Sequence, residues 1–153
     1  MTDASSIPVN ELLPHGPEIT VIDRLVSYDG DKSIAVARIR SDAVFFERTG
    51  VPAWAGIEYM AQTIAAHAGY AARLRSEPPP IGFLLGTRAY ACDVDEFAEG
   101  AVLTISVAPL VMEGSFAAFD CVIEMQRIVV SAVLNIYRPA AREVAQIRAR
   151  TAW

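Results

Sequence analysis

At 153 residues the chain fits one domain with a single core. A net charge of −5 and a pI near 5.0 argue against nucleic acid as a partner, since that selects basic patches. No apolar run reaches the roughly 18 uninterrupted residues of a membrane span, yet the hydrophobic fraction of 53% exceeds the roughly 45–50% usual for soluble domains. The surplus needs cover: an oligomer interface, an apolar ligand tunnel, or both.

The opening residues, "MTDASSIPVN", carry neither a basic region nor an apolar stretch, so no signal peptide is expected and a cytoplasmic location follows. His15 sits in the loop "LLPHGPEI". "EITVIDRLVSYDGDKSIAVARIRSD" reads as two β-rich segments around a turn at Asp29-Gly30-Asp31, with Asp23 making hydrogen bonds inside the first. From Pro52 to about Arg75 the composition turns helical, with Pro52 in the first turn and the prolines at 78–80 as the stop. That helix is apolar nearly all round, as one enclosed by other structure should be. Strand-like segments follow, with turns near Ala98-Glu99-Gly100, Glu113-Gly114-Ser115 and Met125-Gln126, the last without the usual Gly or Asn. Pro139 ends the last strand, and residues 140–153 read as a solvated tail or short helix. One long buried helix followed by antiparallel strands is an α+β pattern: a curved sheet wrapped around one helix.

Cys92 and Cys121 show neither a paired spacing nor a zinc spacing and read as two reduced core thiols. Phosphate-binding glycine loops, a nucleophile elbow and metal-loop spacing are all missing, so neither cofactor nor metal is expected.

Glu58 is the one acid in the run "VPAWAGIEYMAQTIAAHAG". A bare buried carboxylate costs several kcal/mol unless it is paired, hydrogen-bonded or protonated. Helical spacing puts Glu58, Gln62, Ala65 and Gly69 on one stripe, which reads as a site wall followed by a groove floor. The alternative is an acid that merely favours the helix start. Of the two histidines, His67 lies nine residues beyond Glu58, half a turn away and roughly 13 Å along the axis, so it reads as a packed or interface residue. His15 is the imidazole free to approach Glu58.

These segments resemble the hotdog-fold 3-hydroxyacyl-acyl carrier protein dehydratases. "LLPHGPEITVIDRL" is similar to their opening, and "VPAWAGIEYMAQ" to the start of their central helix, whose acid is catalytic. "GFLLGTRAY" and "LNIYRP" are similar to a narrower branch, the ApeP-like proteins linked to aryl polyene assembly. The resemblance implies a hotdog domain over residues 1–139, paired edge to edge as a homodimer or as a heterodimer with another hotdog dehydratase. It implies an acyl carrier protein-bound thioester as substrate. It casts Glu58 as the acid for the β-hydroxyl leaving group and the Ala53 N–H as the donor to the thioester carbonyl, with Pro52, Trp54 and Gln62 as further substrate contacts. The family's catalytic histidine falls at Val44 here, which leaves His15 as the candidate base. Three readings stand: an active dehydratase, a non-catalytic subunit that stabilises an active partner, and a thioesterase in which the acid activates water.

Overall fold

Alternation of side chains decides the sheet. Along β3 (Lys32–Arg38), Ser33, Ala35 and Ala37 are buried, and β7 (Val102–Glu113) buries Leu103, Ile105 and Val107 in the same period of two. The structure is a computed structural model and describes residues 1–151. Seven strands form one antiparallel sheet in the order β1 (Thr2–Asp3), β2 (Arg24–Asp29), β3, β7, β8 (Phe116–Met125), β9 (Arg127–Tyr137), β5 (Phe83–Cys92). Two short strands, β4 (Gly50–Pro52) and β6 (Glu96–Ala98), pair separately beside the start of the helix.

The helix α1 (Gly56–Leu74) packs chiefly across β2, β3, β7 and β8. Tyr59, Met60 and Ile64 from α1 close the core against Leu25, Leu103, Ile105 and Ile123. Because the helix sits over that half of the sheet, the β9–β5 half extends past it. The surface left open there forms the groove described below.

Several sequence expectations change in the structure. Pro52 ends β4 rather than opening α1, which starts after a 3₁₀ turn over Ala53–Ala55 and is 19 residues long. Residues 18–23 are not strand. Instead Asp23 receives the Arg38 N–H at 2.7 Å and the Arg40 guanidinium at 2.7 Å, pinning the approach to β2. Cys121 is buried, but Cys92 is exposed, because β5 is an edge strand with neither face fully covered in the single chain. The predicted turns hold: Gly100 and Gly114 take the left-handed conformation, and Gln126 (φ 67°) does so without being glycine. Residues 141–151 form a second helix, α2 (Ala141–Thr151).

Candidate active site

Glu58 lies in the first turn of α1 and Gln62 one turn later, the spacing at which helical side chains meet. The Gln62 carbonyl Oε1 accepts the Val21 backbone N–H at 2.8 Å. That contact fixes the amide, because only an oxygen can accept there. Nε2 must therefore face the other way, where it donates to the Ile19 carbonyl at 2.9 Å and to Glu58 Oε1 at 2.8 Å. Gln62 is 1% exposed. Its hydrogen bonds are spent on the protein, so it positions Glu58 and staples the loop before β2 to the helix.

Glu58, Gln62 and His15 line one groove of about 810 Å³. The Nε2 of His15 is buried and unpartnered. His15 and Glu58 thus line the same space, the imidazole with a buried, unpartnered nitrogen and the carboxylate held by one oxygen. Leu84 of β5, Phe119 of β8 and Ile136 of β9 form the facing wall.

Along α1 the groove winds around the helix. It passes Ala65, Ala61, Ala68 and Ala71 and reaches His67, which at 100° per residue stands half a turn from Glu58. Gly69, expected on the groove floor, is not there. Its missing Cβ makes room for the Leu12 carbonyl, which would lie 1.9 Å from it. His67 is packed, as expected, between Tyr28 and Phe119, with Nδ1 2.7 Å from Ser33 Oγ. Burial lowers its pKa and outweighs the opposing pull of Asp29.

The helix start differs from the arrangement the resemblance implies. The Ala53 N–H, the expected thioester donor, already donates to the Asp95 carbonyl at 2.9 Å, and the Ala53 carbonyl accepts from the Tyr90 hydroxyl at 2.7 Å. Burial pushes that Tyr90 hydroxyl up to about 12. Pinned on both sides, Ala53 faces β6 and β5 and stays outside the groove, as do Pro52 and Trp54. Trp54 is exposed and packs edge-to-face with Phe45. Val44, where the resemblance puts the family's histidine, lies exposed in a turn.

The Glu58–Gln62 spacing was readable in advance. The Ser33–His67 pair and the Leu12–Gly69 crossing were not, since nothing local marks residues 34 and 57 positions apart as neighbours.

Over residues 7–148 the sequence matches the ApeP-like family, described as ApeP dehydratase. The chain belongs to the ApeP-like dehydratase family. A comparison with curated proteins finds no match. Among solved structures, this ApeP-like chain is similar to the dehydratase heterocomplex ApeI:P from Xenorhabdus doucetiae, at 29% identity and a TM-score of 0.84, covering 92% of this chain and 97% of that one. It also resembles a hypothetical thioesterase with coenzyme A from Streptococcus pneumoniae TIGR4, at 11% identity and a TM-score of 0.59, covering 76% and 84%. The E. coli PaaI protein from the phenylacetic acid degradation operon is similar at 13% identity and a TM-score of 0.57, covering 78% and 80%. At those identities the last two show the fold alone. That fold is the hotdog. No helix among the described residues is long and apolar enough to cross a membrane.

Proposed function

We propose that this chain is a subunit of a cytoplasmic 3-hydroxyacyl thioester dehydratase acting on acyl chains carried by an acyl carrier protein, in fatty acid or aryl polyene assembly. The observation that carries this reading is that a Gln62-anchored carboxylate and an imidazole whose Nε2 has no protein partner line one groove. In the reaction a base takes the α-proton of the thioester, the β carbon–oxygen bond breaks, and the hydroxyl leaves as water after receiving a proton from Glu58 in its carboxylic acid form. The abstracted α-proton then restores that form. The product is the 2-enoyl thioester. Gln62 orients the carboxyl through Oε1 and leaves Oε2 for the leaving oxygen. His15 is the base from this chain.

A second reading has its own support. Val44 replaces the family's histidine, and the Ala53 amide is committed to Asp95. On this reading the chain stabilises a hotdog dehydratase partner that supplies the missing groups. The similar Xenorhabdus structure is a dehydratase heterocomplex, which favours such pairing. Incubation of a 3-hydroxyacyl thioester with the chain, alone and with a co-expressed hotdog dehydratase, separates the readings. Loss of water by the chain alone, abolished in Glu58→Gln and cut at least about 100-fold in His15→Ala, supports the first. Activity only with the partner, unchanged by Glu58→Gln, supports the second. Accumulation of free acid would mark a thioesterase and refute both.

A further inference from the structure

The mechanism above leaves one buried polar pair unused. Ser33 is fully buried in β3 and His67 is 6% exposed, and they bond to each other at 2.7 Å. Two apolar side chains would fill the same space without the cost of desolvating a serine and an imidazole. His67 also lines the groove, together with Ile64, Ala65, Ala68, Phe119 and Arg75. Tyr28 and Phe119 flank the ring, at centroid distances of 5.0 and 5.9 Å, and fix its plane. With Nδ1 taken by Ser33, Nε2 is the nitrogen left for a ligand.

We infer that His67, held by Ser33, is a specificity residue that receives a hydroxyl at the far end of the acyl chain. This rests on the groove being the acyl site, as proposed above. A hydroxyl suits either tautomer of a neutral imidazole. If the Ser33 hydroxyl donates to Nδ1, Nε2 carries a proton and needs an acceptor; if Nδ1 donates, Nε2 needs a donor. A hydroxyl supplies both. The depth is set by the helix: nine residues from Glu58 to His67 advance at least about 13 Å, and the half-turn lengthens the path. At about 1.3 Å per bond of an extended chain, the terminus lies roughly ten or more bonds from the reacting carbons. A plain methyl end would meet the ring without using it.

The test is binding, not turnover. Saturated acyl-pantetheine thioesters of about 10 to 16 carbons, each ending in a methyl or in a hydroxyl, are titrated against the full chain, alone and with a co-expressed hotdog dehydratase. In the wild type the hydroxyl series should peak at one length and there bind at least as tightly as the methyl series. His67→Phe should weaken the hydroxyl probe about tenfold at that length, by leaving a buried hydroxyl unpaired, and leave the methyl series unchanged. His67→Gln, which keeps a polar group, should recover part of the loss. Weaker binding of the hydroxyl series at every length in the wild type overturns the inference without any variant. Equal loss in both series on His67→Phe overturns it too, showing a structural role only. Either result leaves the proposed function standing. If neither series binds under either condition, the groove is not the acyl site, and both proposals fall.

Discussion

Gln62 has three hydrogen bonds in the fold, two to backbone groups of the loop before β2 and one to Glu58. Gln62→Leu would fill nearly the same volume and leave the buried Val21 N–H and the Ile19 carbonyl without their partner. An unmade bond to a buried group costs about 1–3 kcal/mol, so the variant should lose roughly 2 kcal/mol in denaturant titration. It should also lower dehydratase activity by freeing Glu58 to rotate. Unchanged stability would show that the loop is held by other contacts. His67 gives a pH signature at the same scale. Its folded pKa lies below the ordinary 6.5, chiefly through desolvation. The unfolded chain therefore binds more protons between the two values, and stability rises with pH through that window. The contribution is fully present above about pH 6.5 and is lost as pH falls toward the folded value. A stability–pH curve should show this fall in the wild type, and the difference curve against His67→Phe should isolate it. A flat difference would mean that His67 titrates as it does in the unfolded chain.

At the scale of the element, α1 depends on small residues where other backbone crosses it. The loop carrying His15 passes over α1 at Gly69, with the Leu12 carbonyl in the space a side chain would need. Backbone cannot yield there as the end of a flexible side chain could. Gly69→Ala should thus destabilise the protein by about 3 kcal/mol or more, seen as a large drop in thermal midpoint. It should also displace the His15 loop, so residual activity should fall even where the variant folds. A variant as stable as the wild type would show that the crossing can relax. The other end of the crossing is tied by an exposed ion pair between Arg73 and Glu11 at 3.2 Å, worth little by itself.

For the whole molecule, β5 is the feature left incomplete. It pairs with β9 on one side only, and Phe83, Leu84 and Leu85 are exposed on it at 41%, 43% and 61%. An open apolar edge invites pairing with another chain, and it borders the groove through Leu84. The protein at micromolar concentration, or its complex with a co-expressed hotdog dehydratase, should therefore have at least twice the 16.6 kDa chain mass by light scattering. Leu85→Asp should return it to single chains without unfolding, since that side chain has little to lose in the isolated subunit. A mass near 16.6 kDa under both conditions would refute pairing through this edge.

Much of this protein was determined by local sequence. β-rich runs gave the long strands, the glycines at 100 and 114 gave turns, and the i, i+4 spacing of Glu58 and Gln62 gave a polar wall on an apolar helix. The order of the motifs identified the family. These are short-range properties, set by side-chain direction and backbone sterics over a few residues. Tertiary packing decided the rest. It committed the Ala53 amide to Asp95, placed Pro52 in β4, left Cys92 on an open edge, and wound the groove from Glu58 round to His67. Each of those outcomes depends on which distant segment arrives beside a residue. A hydrogen-bonding group takes the partner that reaches it, and no spacing along the chain encodes that meeting.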